Sequence, residues 1–188
     1  MSLNDLELID EIRSGSRAAF DQLIRRHEKF VYRVAFSYTS DRESALDISQ
    51  NVFIKVHRKL EAFHGNSTFR TWLARVAQNE SLTWLRGQKR HGGQAEITAL
   101  NTPACQPTQE ATLLRAERSR DLIEEVHRLN PKQSRAVLLR YYEKMSVREI
   151  GDVLECSEGQ VKSILFRSLQ VLRTRLPRKG RWNRELEA

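Results

Sequence analysis

The sequence predicts an all-α fold: two small helical domains joined by a flexible linker, the C-terminal one containing a helix-turn-helix. Apolar residues recur every three or four positions through most of the 188 residues, which is typical of amphipathic helices, and no strand-like alternation competes. From 92 to 112 the periodicity stops and Gly, Pro, Thr and Gln accumulate, which indicates a linker. The predicted domains are therefore 1–91 and 113–177, followed by a basic tail at 178–188.

The N-terminal domain is predicted to contain helices separated by short breaks. A first helix around 6–12 precedes a turn at 14–16, and a second covers about 20–38. A third helix begins at Asp41 and continues to about 60. After a loop at 64–68, a fourth helix runs from Phe69 to Arg86 or slightly beyond. In each helix the apolar residues share one face, so we expect the helices to pack together.

Three helix starts follow one another at short intervals in the C-terminal domain. They lie at Asn130-Pro131-Lys132-Gln133, Ser146-Val147-Arg148-Glu149 and Ser157-Glu158-Gly159-Gln160. The first combines an N-cap amide with Pro at the first helical position, and the other two are capping boxes. The last two helices are separated by only a few residues, which predicts a helix-turn-helix whose second helix enters the DNA major groove.

Charge also favours a polyanionic partner. The formal net charge is +8 and the sequence pI is about 9.9, and Lys and Arg are concentrated at 69–91 and from 162 to the end. Two separate basic segments suggest two contacts on one polyanion. From charge alone, ordinary solvated basic surface is an equally good interpretation.

Several functional classes are disfavoured by what the sequence lacks. The two cysteines, Cys105 and Cys156, are far apart and lie in no metal-binding motif, so we expect neither a disulfide nor a metal site. The acidic N-terminus resembles no signal peptide, and no apolar run is long enough to span a membrane. There is no P-loop or nucleophile motif. We expect a cytoplasmic, non-enzymatic protein that inserts in no membrane and needs no cofactor.

Three segments together resemble the extracytoplasmic-function class of bacterial sigma factors. Ala45–Val56 is similar to the family's Asp-x-x-Gln-acid-x-Phe signature, and Phe69–Asn79 to its aromatic-x-Thr-Trp-Leu-x-Arg-Ile-Ala-x-Asn signature. Leu129–Arg135, continued through Val161–Ser163 and Phe166-Arg167, resembles the promoter-reading helix-turn-helix. The resemblance implies an alternative sigma factor that binds core RNA polymerase, directs promoter recognition and transcription initiation, and is regulated by an anti-sigma factor.

The resemblance assigns the first set of site residues to polymerase binding. Asp47, Gln50 and Asn51 stand at i, i+3 and i+4, so one helix face presents them together. By resemblance this face, with Phe53 nearby, docks a coiled coil of the largest polymerase subunit. Spacing alone would favour a solvated polar face with Phe53 in the core.

The second and third sets are assigned to promoter DNA. For unpaired bases of the −10 element, the resemblance implies the loop at 63–68 and the fourth helix. The residues concerned are His64, Asn66, Thr71, Arg75 and Asn79. For the −35 element it implies the helix-turn-helix, with Ser168 also expected on its polar side. Those residues are Arg140, Gln160, Lys162, Ser163, Phe166 and Arg167. Sequence does not decide whether Lys162 and Arg167 bind guanine or phosphate.

Three positions depart from the family pattern. Asn51 stands where an acid is usual, which removes one charge from the polymerase-facing helix. Glu155 occupies a turn position where Gly, Asn or Asp is common; a left-handed conformation there would cost about 1 kcal/mol. Gln160 replaces a frequent Thr, which would alter base preference.

Two other functional classes compete with a sigma factor. A transcriptional regulator would use the helix-turn-helix on duplex DNA and the N-terminal helices as a sensor or dimerisation module, but it does not account for the signatures at 47–53 and 69–79. An adaptor would bind another protein through its basic helices. A purification test separates the three classes. A sigma factor co-elutes with core polymerase, a regulator binds duplex DNA as a dimer, and an adaptor does neither.

Overall fold

The computed structural model describes residues 3–90, and residues 122–175 except 123, 124 and 127. The described residues belong to two separate units, one within Met1–Ile97 and one within Thr98–Ala188. Every regular element among them is helical, so the predicted all-α fold is confirmed. The predicted linker at 92–112, the start of the predicted C-terminal domain and the tail at 178–188 lie outside the described residues.

Four α-helices and one short 3₁₀ turn make up the described part of the N-terminal unit. They are α1 Asp5–Arg13, α2 Arg17–Thr39, α3 Arg42–Lys59, the 3₁₀ turn Leu60–Ala62 and α4 Phe69–Arg90. Asn4, Ser16 and Asp41 cap the first three helices, each through a side-chain oxygen that accepts a backbone N–H. The helices bury their apolar faces against one another, and α2 contacts the other three.

Three α-helices can be followed without a break in the described part of the C-terminal unit. They are α5 Pro131–Val137, which continues as a π turn at Leu138–Tyr142, then α6 Val147–Leu154 and α7 Glu158–Arg175. Residues 122, 125 and 126 are also helical. The buried core of this unit includes Ile150 and Val153 of α6 and Val161 and Leu172 of α7, each almost fully buried.

All three predicted helix starts in this unit are confirmed. The Asn130 side chain accepts the Gln133 N–H at 2.9 Å. Ser146 and Glu149 form a complete capping box, and Ser157 and Gln160 exchange the same pair of bonds, at 3.3 and 3.0 Å. Reciprocal bonds of this kind satisfy backbone donors at the helix start. They therefore fix where α6 and α7 begin.

The turn between α6 and α7 depends on one residue in a left-handed conformation. Glu155 has φ 52° and ψ 53° and is the C-cap of α6. The N–H of Cys156 then donates to the Gly151 carbonyl at 3.0 Å, which closes the turn. Left-handed backbone is costly for a residue with a Cβ, so Glu155 carries the strain that its sequence position suggested.

Candidate nucleic-acid interfaces

The outer face of α3 combines polar side chains with exposed aliphatic ones. Asp47, Gln50 and Asn51 are exposed, and Phe53 is half-buried. Leu46 and Ile54 are 44% and 50% exposed, and with Gln50 they form one stripe at i, i+4 and i+8. Sequence reasoning missed these two residues, although their spacing could have revealed them. A face of this composition suits a protein partner better than water alone.

The loop between α3 and α4 is exposed in its middle and anchored at its two ends. His64 and Asn66 are exposed, whereas Phe63 is 4% exposed. At the far end the Thr68 hydroxyl accepts the Thr71 N–H at 3.2 Å, as an N-cap of α4 does. Gly65 has φ 75°, a conformation that glycine adopts without strain. The loop therefore presents His64 and Asn66 from fixed ends.

Two polar residues of α4 face inward: Thr71, which belongs to the predicted −10 set, and Gln78. Thr71 is fully buried, and its hydroxyl lies 2.8 Å from that of Thr68, so the prediction that Thr71 contacts DNA is wrong. Gln78 is 6% exposed and accepts a 2.6 Å hydrogen bond from the Tyr38 hydroxyl. Both polar groups are satisfied inside the protein, which makes their burial tolerable.

Arg75 and Asn79 form the exposed polar face of α4. They are one helical turn apart and so point to the same side. Next to Asn79, the Glu80 carboxylate pairs with the Lys55 ammonium of α3. This ion pair ties α4 to α3 beside the exposed face. Arg75 and Asn79 offer a guanidinium for phosphate and an amide for base edges.

An aromatic cluster underlies the loop and the start of α4. Phe63, Phe69 and Trp72 have ring centroids 5.5 to 5.7 Å apart, and the buried His27 ring lies 5.3 Å from Phe69. Burial lowers the pKa of His27 below 6.5, while Asp5, whose Oδ2 lies 2.9 Å from Nε2, acts in the opposite direction. Phe69 is 3% exposed and belongs to the core.

The polar side of α7 presents the second group of sequence-predicted residues. Lys162, Ser163 and Arg167 are exposed, and Phe166 is 62% exposed. Gln160 is exposed too, although its carbonyl oxygen is already used by the capping box. Ser168, expected on this side, is instead fully buried, and its hydroxyl donates to the Ile164 carbonyl at 2.7 Å. An exposed phenyl ring beside cations can contact a thymine methyl group.

A residue from α5 joins this surface. Lys132 lines a shallow cavity of about 440 Å³ together with Gln160, Ser163 and Arg167. Sequence reasoning did not select Lys132, since about thirty residues separate it from α7 and only the packing of α5 on α7 brings them together. Arg140, by contrast, is half-buried and donates to the Met145 carbonyl at 3.0 Å. Arg140 thereby braces the segment that precedes α6.

Two family models match the chain, one on each unit. Sigma-70 region 2 matches residues 23–91, and Sigma-70 region 4 matches residues 126–174. Together the two matches cover more than half of the chain, in the order that the resemblance predicts. The chain belongs to the extracytoplasmic-function class of sigma-70 factors. In this family α3, the loop and α4 lie in region 2, and the helix-turn-helix lies in region 4.

Curated relatives of this sigma factor align over nearly its whole length. The ECF RNA polymerase sigma-E factor of Haemophilus influenzae is 29% identical over 182 residues, with 93% of this chain and 96% of the relative covered. The RNA polymerase sigma-H factor of Pseudomonas aeruginosa is 27% identical over 176 residues, with 89% and 91% covered.

Two solved structures show the same fold. The sigma factor RpoE of Bartonella quintana, in complex with the anti-sigma factor NepR, gives a TM-score of 0.69 at 21% identity and covers 82% of this chain and 94% of its own. CnrH, in complex with the cytosolic domain of CnrY, gives a TM-score of 0.64 at 22% identity and covers 92% and 97%. At these identities the likeness is one of fold.

The described residues also show two absences. None of the helices among them is long and apolar enough to cross a membrane. Within the same ranges, no group of His, Cys, Asp and Glu side chains is arranged to hold a metal ion.

Proposed function

We propose that this sigma factor binds core RNA polymerase through the outer face of α3 and reads a promoter at two places. The loop at 64–68, with Arg75 and Asn79 of α4, captures unpaired bases of the −10 element. The polar side of α7 reads the −35 element in duplex DNA. The observation that carries the proposal is that exposed polar side chains cluster on both matched regions, at the helices where the family's signatures lie.

The exposed side chains of α4 have the chemistry that capture of an unpaired base requires. Asn79 presents an exposed amide, which can bond a Watson–Crick edge only after the base has left its pair. Arg75, one turn earlier, offers a cation to the phosphates beside that base. The helix carrying both is fixed by the Tyr38–Gln78 hydrogen bond on its buried side. A rigid platform lowers the entropic cost of holding an unstacked strand.

Contacts on α7 support reading of a duplex major groove. In a helix-turn-helix the second helix enters the groove, with residues of its N-terminal part at the base edges. Gln160, Ser163 and Arg167 lie on that side and share the cavity with Lys132. Arg167 suits a guanine, and Lys132 suits a phosphate that flanks the groove. Arg140 acts indirectly, by holding the Met145 carbonyl ahead of α6.

The proposal extends to regulation and to location. Both structural relatives described above were solved in complexes, one of them with a named anti-sigma factor, and we propose that an anti-sigma factor likewise controls this chain. We further propose that it acts in the cytoplasm, where core polymerase and promoters meet. It performs no catalysis of its own and requires no cofactor, since the polymerase carries out RNA synthesis.

Run-off transcription tests the proposal most directly. Core polymerase would be mixed with the purified chain and genomic fragments, and the start sites mapped; core enzyme alone is the control. We expect initiation at a shared pair of promoter elements. Dimeric binding to duplex DNA with no initiation by the mixture would instead identify a regulator and overturn the proposal.

A matched pair of variants tests the −10 assignment. Asn79→Ala should reduce promoter opening, followed by permanganate reactivity at the −10 element, more than it reduces duplex binding. Gln88→Ala makes the corresponding amide-to-methyl change at another exposed position of α4, nine residues away and on the opposite side. Normal opening with Asn79→Ala would show that Asn79 makes no base contact.

A further inference from the structure

Arg13 of α1 donates hydrogen bonds to backbone carbonyls just before the proposed base-capture loop at 64–68. Arg13 Nη2 donates to the Phe63 carbonyl at 2.6 Å and lies 3.4 Å from the Leu60 carbonyl. Its Nη1 pairs with Asp10 of the same helix at 3.4 Å. One guanidinium therefore links α1 to both ends of the segment that leads into the loop. Hydrogen bonds from a charged donor are stronger than neutral ones.

The two ends of the loop are then held by different contacts. At one end the Phe63 carbonyl is bound by Arg13, and the Phe63 ring packs 5.5 Å from Trp72 and 5.6 Å from Phe69. At the other end Thr68 caps α4. Between these anchors lie only four residues, 64–67, and they include the exposed His64 and Asn66. The Arg13 bond comes from α1, outside the two helices that flank the loop.

We propose that Arg13 is a positioning residue that holds the loop at 64–68 in the shape that receives an unpaired −10 base. The inference rests on the proposed function, because it needs the loop to be the base-capture element. Arg13 itself lies in α1, before the residues matched by the region 2 model, which begin at 23. Its effect on DNA is transmitted through the backbone of Leu60 and Phe63. Fixing a binding group before the ligand arrives raises affinity without adding a contact.

Three variants isolate the guanidinium. Arg13→Met keeps a long stem and removes the donors, and Arg13→Lys retains a cation that can reach one carbonyl. Arg17→Met is the matched control: Arg17 is exposed at the start of α2, and its side chain forms no hydrogen bond or ion pair with another described residue. Each variant, bound to core polymerase, would be titrated with a single-stranded non-template −10 oligonucleotide and with a duplex −35 fragment.

We expect Arg13→Met to weaken oligonucleotide binding roughly tenfold, and duplex −35 binding to stay unchanged. Arg13→Lys should recover part of the loss, and Arg17→Met should match the unmodified chain. Circular dichroism below the unfolding transition should show equal helix content in all of them. A structural defect of the N-terminal unit would instead lower its helix content and its affinity for core polymerase, which is measured in parallel. Equal oligonucleotide affinity of Arg13→Met and the unmodified chain would overturn the inference.

A double-mutant cycle with Asn66 tests whether Arg13 acts through the loop. Asn66→Ala should cost less affinity for the oligonucleotide in an Arg13→Met background than in the unmodified chain, because the misplaced loop no longer presents the amide. Additive losses would overturn the positioning role. If Asn66→Ala and Asn79→Ala have no effect and Arg13→Met also has none, the proposed −10 function and this inference both fail. If only the Arg13 variants have no effect, the function stands without the inference.

Discussion

The backbone of Cys156 occupies the space next to Gly151 that a side chain there would need. A Cβ added at Gly151 would lie 2.7 Å from the Cys156 carbonyl oxygen, closer than packed atoms approach. The Cys156 N–H also donates to the Gly151 carbonyl at 3.0 Å. The turn of the helix-turn-helix thus folds back onto α6 at the one position without a side chain.

Replacing that glycine should destabilise the C-terminal unit. We expect Gly151→Ala to lower its free energy of unfolding by about 1–3 kcal/mol, because backbone must move to admit the methyl group. Gly159→Ala is the matched control, since nothing lies within 4 Å of its added Cβ. Urea unfolding of both variants would measure the difference. Equal stabilities would show that the turn can open at no cost.

Relief of the strain at Glu155 should have the opposite effect. Glu155 has φ 52°, so Glu155→Gly should raise the free energy of unfolding by about 1 kcal/mol. Asp152→Gly places the same residue in the helical part of α6 and should lower it by a similar amount. Thermal unfolding would compare the two, and destabilisation by Glu155→Gly would mean that its side chain makes a favourable contact.

The outer face of α3 should be separable from the fold. Asp47→Ala with Gln50→Ala should weaken binding to core polymerase while helix content stays constant, because both side chains are exposed. Asp21→Ala with Gln22→Ala removes the same two groups from exposed positions on α2. Pull-down with core enzyme, with circular dichroism in parallel, would decide the question. Undiminished binding by the variant with Asp47→Ala and Gln50→Ala would show that this face of α3 does not bind core polymerase.

Lys132 and Arg167 should differ in how their loss depends on DNA sequence. Arg167→Ala should cost about 1–3 kcal/mol and flatten preference at one −35 position if it reads a base, whereas Lys132→Gln should weaken all sequences alike and reduce the salt slope by about one unit. Lys29→Gln, at an exposed site on α2, controls for net charge. Titrating −35 variants at two salt concentrations would measure both effects. The opposite pattern would show that Lys132 reads a base and Arg167 binds phosphate.

The buried His27 should make the N-terminal unit sensitive to mild acid. Its folded-state pKa is below 6.5, chiefly because burial disfavours the cation. Asp5 stabilises the cation, whereas Arg26 and Arg70 destabilise it and lower the pKa further. The unfolded chain then binds more protons as pH falls below about 6.5, so the free energy of unfolding should decrease. Tryptophan fluorescence during urea unfolding at about pH 7.5 and about pH 5.5 would measure the decrease. His27→Gln should show a smaller one.

The sequence predicted what depends on local chemistry. The starts of α5, α6 and α7 follow from capping residues three apart, whereas the left-handed conformation of Glu155 was raised only by comparison with the residues common at that turn in the family. Inward or outward orientation was harder to predict. Thr71 and Ser168 bury their hydroxyls because each finds a partner within its own helical turn, so polarity did not indicate exposure.

The missed site residues depend on tertiary packing. Lys132 reaches the surface of α7 only because α5 packs on that helix, and a contact between segments so far apart in sequence has no local signal. Arg13 shows the same limit: its bonds to Leu60 and Phe63 span 47 and 50 residues. Leu46 and Ile54, by contrast, were visible as a stripe, but apolar residues at helical spacing are usually assigned to a core.

The hydrogen bonds made by α1 affect where the boundary should lie in a chimaera of two such sigma factors. A swap limited to the matched residues, which begin at 23, would pair the α1 of one parent with the loop of another. Arg13 would then face a foreign carbonyl pair, and Asp5 a foreign partner in place of His27 and Arg26. Promoter preference could be lost in such a hybrid although every matched residue was transferred. A segment exchanged between two such sigma factors should therefore include α1.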